Sequence, residues 1–89
     1  ELLPVTSSPR DMVNKVKAVA LSWLSQEKFI VMLGGEHLLT LGMIEAHAVR
    51  NKDFSVLHLD AHADLRLEYE GTSYSNACVM RLVWQYAPV

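Results

Sequence analysis

Three strong metal ligands lie at alternating positions in the segment Asp60-Ala61-His62-Ala63-Asp64. The apolar run that precedes them, residues 54–59, is typical of a buried strand. In an extended backbone, residues i, i+2 and i+4 point to one side. Two carboxylates and an imidazole are therefore expected to converge at the end of a strand, where a divalent cation is their natural occupant.

A second segment with chemical potential, Gly34-Gly35-Glu36-His37, follows the apolar run 29–33. That run also predicts a strand, of the kind buried on both faces in parallel sheets. Parallel strands present their carboxyl ends at one edge of the sheet, so the two polar segments should meet there. Together they offer four candidate metal ligands: His37, Asp60, His62 and Asp64. This mixture of imidazole and carboxylate favours manganese, zinc, iron or cobalt over calcium.

Three helices are predicted around the two strands. For the first, Ser8 can serve as N-cap, Pro9 suits the first helical position, and Asp11 is the acid of a capping box. The predicted boundaries are 9–26, 38–51 and 76–85 for the helices and 68–74 for a loop. The order implies an α/β fold built on a right-handed βαβ unit, and two parallel strands need further neighbours to form a stable sheet.

Composition excludes several classes of function. The 89 residues carry a formal net charge of −2 without a basic stripe, which argues against nucleic-acid binding. No apolar run approaches membrane-spanning length, and no signal peptide is visible. The single cysteine, Cys78, excludes an internal disulfide and makes a cytoplasmic setting the expectation. Because 51% of the residues are hydrophobic, more than so short a chain covers well, residues 1–89 are expected to be part of a larger body.

At its two polar segments the chain resembles the ureohydrolases, the family of arginases and agmatinases. Residues 34–37 are similar to the family's Gly-Gly-Asp/Glu-His segment, and residues 60–64 to its Asp-Ala-His-x-Asp segment. Arg66 and the stretch 71–81 look most like the agmatinase branch. The resemblance implies a segment of a three-layer α/β/α arginase-like fold, with strands near 29–33 and 54–59. Residues 1–89 would form a partial domain that lacks its N-terminal and C-terminal parts.

The resemblance also implies a binuclear manganese centre. His37, Asp60 and Asp64 would hold one Mn²⁺, and Asp60 and His62 the other, with Asp60 as the bridge. A metal-bridging hydroxide would attack the guanidinium carbon of a small guanidino substrate. Agmatine would give urea and putrescine, a step of polyamine biosynthesis, although the sequence does not distinguish agmatine from arginine or guanidinobutyrate. The full-length protein would be a cytoplasmic homo-oligomer.

Two departures from the family pattern bear on activity. The family's Asp-x-Asp segment, which completes both metal spheres, is absent from these 89 residues. Asn76 stands at the catalytic position where agmatinases carry a histidine for proton transfer or substrate contact, and Asn does not titrate near neutral pH. Losing a positioned proton carrier costs roughly 10²–10⁴-fold in rate. We therefore expect the isolated chain to be inactive.

Two alternatives remain open at this point. The chain could be a non-catalytic truncated or decayed relative with at most weak metal binding, or another arginase-fold metal amidohydrolase of the deacetylase type. Two further histidines receive structural interpretations. His58, on the same side of its strand as Asp60, is interpreted as a buried, hydrogen-bonded core residue, and His47 as a structural or surface residue of the second helix.

Overall fold

The computed structural model describes residues 2–3 and 8–89. It contains three α-helices, α1 (Pro9–Ser25), α2 (Thr40–Arg50) and α3 (Val79–Val83). Short 3₁₀ helices, His37–Leu39 and Asn76–Cys78, run directly into α2 and α3. No helix in this described part of the chain is long and apolar enough to cross a membrane.

The start of α1 confirms the capping prediction. The Ser8 side chain accepts a hydrogen bond from the Asp11 backbone N–H at 3.4 Å, and Pro9 occupies the first turn, where a missing N–H costs nothing. Glu27 lies in the left-handed region at φ 58°, and its N–H donates to the Leu24 carbonyl at 2.9 Å, which ends the helix. The observed end at Ser25 differs by one residue from the predicted one.

The second and third predicted helices form with 3₁₀ entries in place of regular first turns. In both, a polar side chain just before the helix accepts a hydrogen bond from the N–H two residues on. Glu36 Oε1 accepts from Leu38 at 3.3 Å, and Ser75 Oγ accepts from Ala77 at 3.0 Å. These caps satisfy orphan N–H groups and tighten the first turn. The predicted loop 68–74 is confirmed as irregular structure.

The core lies where α1 packs against α2 and α3. Its buried members come from all three helices and the first 3₁₀ turn: Val13, Leu38, Leu41, Val79, Met80 and Val83. Gly42 permits the close approach of α1 and α2, because a Cβ there would lie 2.6 Å from the Val13 carbonyl oxygen and 2.9 Å from the Val16 Cβ. The helix pair is thus closely packed along this contact.

A buried carboxylate ties α1, α2 and the C-terminal segment together. Glu45 is 2% exposed, and its Oε1 accepts hydrogen bonds from Arg10 Nη1 and from the Tyr86 hydroxyl, both at 3.0 Å. Lys17 Nζ lies 3.6 Å from the other oxygen. Because a buried charge is tolerated only when it is paired and hydrogen-bonded, these partners are what allow Glu45 to lie in the core.

The two predicted strands are absent. The described residues contain no strand, and their one isolated bridge joins Tyr69 to Thr72 in the loop. The prediction of a parallel sheet with strands near 29–33 and 54–59 is therefore wrong for this chain, which is helical with long irregular connections.

The exposure of the two segments explains why they do not pair. Phe29, Leu33 and Leu59 are 94%, 91% and 86% exposed, whereas the side chains between them, such as Met32 and His58, are partly buried. This alternation has the period of an extended chain, with one side on the helices and the other in solvent. A parallel pair without further strands is not independently stable.

Candidate metal centre

His37 is positioned by the 3₁₀ turn that begins α2. It is the first residue of that turn, directly after the capping residue Glu36. The amide of the next residue, Leu38, donates to two side chains, Glu36 Oε1 at 3.3 Å and Asn76 Oδ1 at 3.2 Å. The backbone that carries His37 is therefore held both from within its own turn and from the loop before α3.

Asp64 is positioned by the start of α3. Its carbonyl oxygen accepts from the Met80 N–H at 3.0 Å and from the Arg81 N–H at 3.2 Å. These N–H groups belong to the first turn of α3 and would otherwise lack partners. Asp64 itself has φ 56°, in the left-handed region, which Asp tolerates better than most residues. The helix start and this backbone conformation together fix the carboxylate.

Two histidines and two carboxylates converge between these anchors. His37 Nδ1 lies 3.5 Å from Asp60 Oδ2 and 3.0 Å from Asp64 Oδ2. His58 Nε2 lies 3.4 Å and 3.6 Å from the same two oxygens. All four donor atoms lie within 4.8 Å of one another, so the structure brings together three of the four predicted ligands.

The fourth predicted ligand, His62, lies beside this cluster. Its side chain is 82% exposed, and its Nδ1 is 3.4 Å from the Oδ1 atom of Asp60, the oxygen that does not face His37 and His58. Its backbone N–H donates to the same Oδ1 at 2.8 Å. His62 thus orients Asp60 through the backbone while its imidazole extends into solvent.

His58 is the member of the cluster that sequence reasoning missed. Its side chain is 14% exposed, and its Nε2 is buried and has no hydrogen-bond partner among the described residues. The expected burial is present, and the partners of this atom are the Asp60 and Asp64 carboxylates at 3.4 and 3.6 Å, at ion-pair distance. The signal was available in the sequence, because His58 precedes Asp60 by two positions on the same side of an extended segment.

His47 does behave as expected, with its Nδ1 2.8 Å from the Met43 carbonyl oxygen within α2.

Asp60 is held in its ionised form. The hydrogen bond from the His62 backbone N–H lowers the pKa of Asp60, and contacts with His58 and His37 lower it further against an opposing effect of desolvation. A carboxylate that is charged at neutral pH is a competent ligand for a cation.

The donor set fits a divalent metal ion. Imidazole nitrogens and carboxylate oxygens together suit zinc, manganese, iron or cobalt. The buried Nε2 of His58 makes no hydrogen bond among the described residues and is available to bind an ion. Cavities border the cluster on two sides. One of about 310 Å³ is lined in part by Gly34, Gly35 and His37.

The larger cavity, of about 890 Å³, lies between the start of α1 and the loop before α3. His62 and Asp64 form the part of its wall next to the metal cluster, and Asn76 lies in the same lining. Glu36 and Glu70 add two more carboxylates to the wall. A space of this size, acidic and adjacent to the cluster, can admit a small cationic molecule.

Known proteins match the chain over most of its length. It is 45% identical over 62 residues to the N(1)-aminopropylagmatine ureohydrolase of Thermus thermophilus, a match that covers 70% of this chain and 21% of that protein. It is 35% identical over 81 residues to the agmatinase of Bacillus cereus, covering 91% of this chain and 28% of that protein.

A solved structure matches as well. The agmatine ureohydrolase of Thermoplasma volcanium superposes with a TM-score of 0.86 at 32% identity, over 96% of this chain and 28% of that one. The chain therefore matches a segment of an arginase-type structure, even though its own described residues form no strand. The chain covers between 21% and 28% of the length of these relatives. The model of the arginase family matches residues 2–88, and the chain accordingly belongs to the arginase family.

Proposed function

We propose that this chain is a segment of a metal-dependent ureohydrolase that hydrolyses agmatine to urea and putrescine. The observation that carries the proposal is the convergence of His37, Asp60 and Asp64 in a chain that belongs to the arginase family, with Asp64 in the wall of an acidic cavity. Membership of the family implies a metal ion and a guanidino substrate, and the proposal narrows these to Mn²⁺ and agmatine.

The proposed centre of the complete enzyme holds two Mn²⁺ ions. Its ligands from this chain would be His37, Asp60, His62 and Asp64, and an aspartate pair outside these 89 residues would complete it. A divalent ion bound there supplies chemistry that side chains lack, because it lowers the pKa of water enough to give a nucleophile at neutral pH. The full-length protein is proposed to act as a cytoplasmic homo-oligomer.

The residues around the cluster favour a cationic substrate. Glu36 and Glu70 line the large cavity together with Asp64, and a guanidinium or ammonium group would be attracted to this concentration of carboxylates. Asn76 lies in the same wall and can orient a substrate by hydrogen bonding, but it does not carry a proton. Proton transfer to the departing amine is therefore left to water or to groups outside this chain.

Urea release tests the proposal. The complete protein, loaded with Mn²⁺, should release urea from agmatine, and its Asp60→Asn variant should not. The 89-residue chain alone should release none, because it lacks the aspartate pair. Urea from N(1)-aminopropylagmatine or arginine but not from agmatine would overturn the choice of substrate.

A second candidate function is that of a non-catalytic relative. The observation that favours it is Asn76, a residue that does not titrate, at the position that the family resemblance assigns to a histidine. Under this hypothesis the complete protein binds metal at the cluster yet releases no urea from any guanidino compound. The same assay therefore separates the two candidates.

A further inference from the structure

Arg10 connects two walls of the large cavity. It lies in the first turn of α1, and its neighbours Pro9 and Met12 line the cavity from that helix. Its guanidinium carbon lies 5.5 Å from the centre of the Tyr74 ring, which lines the cavity from the loop before α3. A guanidinium at this distance over an aromatic face is attracted to the ring. The side chain of Arg10 therefore joins the helix and the loop between which the cavity lies.

The Arg10 guanidinium is itself anchored on a buried carboxylate. Arg10 Nη1 donates to Oε1 of Glu45 at 3.0 Å, and Glu45 is 2% exposed. A buried carboxylate is costly to leave without its partners, so the ion pair restrains the guanidinium strongly. The planar guanidinium can donate hydrogen bonds along its edge while its face covers a ring, which an ammonium group cannot do.

The Tyr74 ring is the restrained part of an otherwise exposed loop. The ring is partly buried and packs against the core cluster formed by the three helices. Two other residues of the loop that line the cavity, Thr72 and Asn76, are exposed. Because Arg10 is the charged group that covers the Tyr74 ring, loss of its side chain would free the ring to move within the wall.

We propose that Arg10, anchored on Glu45, is a positioning residue that holds the Tyr74 ring in the cavity wall and thereby sets the affinity for the guanidino substrate. The inference rests on the proposed function, because it takes the large cavity as the place where that substrate lies. Neither Arg10 nor Tyr74 belongs to the metal cluster, so a displaced ring weakens the ground state and the transition state alike. A loss of this kind raises KM and leaves kcat unchanged.

Steady-state kinetics of the complete protein, loaded with Mn²⁺, tests this role. Arg10→Ala should raise the KM for agmatine roughly 10-fold and change kcat by less than about 2-fold. Arg10→Lys keeps a positive charge for Glu45 without the planar group, so its KM should rise less. Tyr86→Phe is the matched control, because it removes the other 3.0 Å hydrogen bond to the same Glu45 oxygen and should leave KM unchanged.

A double-mutant cycle shows whether Arg10 acts through the ring. Tyr74→Leu removes the ring and should raise KM, whereas Tyr74→Phe keeps the ring and should not. Arg10→Ala should raise KM no further in the Tyr74→Leu background, because the contact is already lost there. Equal effects of Arg10→Ala in both backgrounds, or an equal rise of KM in Tyr86→Phe, would overturn the proposal. If Arg10→Ala does not fold, Arg10→Lys serves in the same cycle.

Crystal structures of the complete protein separate this inference from the proposed function. The Tyr74 ring should shift by about 1 Å or more in Arg10→Ala, a displacement large enough to affect binding, and should stay in place in Tyr86→Phe. An unmoved ring in Arg10→Ala would overturn the positioning role even if agmatine is hydrolysed. If the complete protein releases no urea, the proposed function fails, and the place of the ring still decides whether Arg10 positions it.

Discussion

The side-chain oxygen of Asn76 accepts a hydrogen bond from the backbone N–H of Leu38, at 3.2 Å. The bond connects the loop before α3 to the turn that carries His37, across 38 positions of the chain. Through this bond Asn76 holds together the two segments from which the candidate metal centre is built.

Removal of the Asn76 side chain should loosen this connection. Asn76→Ala leaves Glu36 Oε1 as the remaining acceptor for the Leu38 N–H, so we expect a loss of about 0.5–1 kcal/mol in the free energy of unfolding. Asn76→Asp keeps the acceptor oxygen and should lose less. Chemical denaturation measures the difference, with Asn14→Ala on the exposed side of α1 as the control. Equal losses in the Ala and Asp variants would show that the hydrogen bond is not what stabilises the turn.

The same position allows a test of proton transfer in the complete protein. Asn76→His introduces a group that titrates near neutral pH, and we expect urea release from agmatine to rise by roughly 10²-fold or more. The pH–rate profile should gain a limb near the pKa of the new imidazole. An unchanged rate and an unchanged profile would show that this position does not carry a proton during catalysis.

The contact between α1 and α2 at Gly42 gives a prediction about packing. Gly42→Ala should destabilise the chain by about 1–3 kcal/mol, because the added methyl group would meet the Val13 carbonyl oxygen at 2.6 Å. The gain in helix propensity, about 1 kcal/mol, offsets only part of this cost. Thermal unfolding measures the change. Gly34→Ala is the matched control, since a Cβ there meets nothing within 4 Å, and a comparable loss in both variants would contradict the packing explanation.

Stability at alkaline pH should depend on Tyr86. Tyr86 is 40% exposed, but partial desolvation and the hydrogen bond to Glu45 still raise its pKa above its usual value near 10. The folded state therefore holds this proton more tightly than the unfolded state does. The resulting stability is fully present below the unfolded pKa and is lost as the pH rises through the folded pKa. Measurements of the unfolding free energy from about pH 10 upward should show this loss.

The comparison variant for this prediction is Tyr86→Phe. At neutral pH its free energy of unfolding should be lower by about 0.5–1.5 kcal/mol, since one hydrogen bond to a buried carboxylate is gone. As the pH rises further, its free energy of unfolding should fall less than that of the unmodified chain. Tyr69→Phe, in the exposed loop, should keep the pH dependence of the unmodified chain. Identical alkaline slopes in Tyr86→Phe and the unmodified chain would rule out Tyr86 as the responsible group.

Local signals predicted the helices well, because their causes lie within a few residues. Ser8 caps α1 as expected from its neighbours Pro9 and Asp11, and the cap bond is present. The capping at Glu36 was not expected to tighten the entry of α2 into a 3₁₀ turn. The Leu38 N–H of that turn also donates to Asn76, a partner remote in sequence that local signals could not reveal.

The sequence pattern could not show whether the two strands form, because a strand requires neighbouring strands to pair with. Phe29 and Leu33 have the apolar character of a strand, yet both side chains lie in solvent here. The matched arginase-type structure is more than three times as long as this chain, which covers 28% of it. In the described residues, the pattern of 29–33 and 54–59 survives only as an alternation of exposed and partly buried side chains, and that alternation brings His58 to the cluster.

Asp64 combines a backbone constraint with a charge, and two substitutions separate them. Asp64→Asn keeps a residue type that tolerates φ 56° but removes the negative charge. We expect the free energy of unfolding without metal to change by about 0.5 kcal/mol or less and the affinity for Zn²⁺ to fall by about 100-fold. Asp64→Ala should lose affinity to a similar degree and in addition lose about 1–2 kcal/mol of stability, because the left-handed conformation is costly for Ala.

Removal of metal provides the readout for this pair. A ligand present at 100 times its dissociation constant stabilises the folded state by about 2.7 kcal/mol, so a chelator should lower the unfolding free energy of the unmodified chain by roughly that amount. The chelator should lower the unfolding free energy of Asp64→Asn by only about 0.4 kcal/mol, because a variant with 100-fold weaker affinity is about half-occupied at the same metal concentration. Asp53→Asn, which neutralises an exposed acid outside the cluster, should respond as the unmodified chain does. A full chelator effect in Asp64→Asn would show that the Asp64 carboxylate is not a ligand.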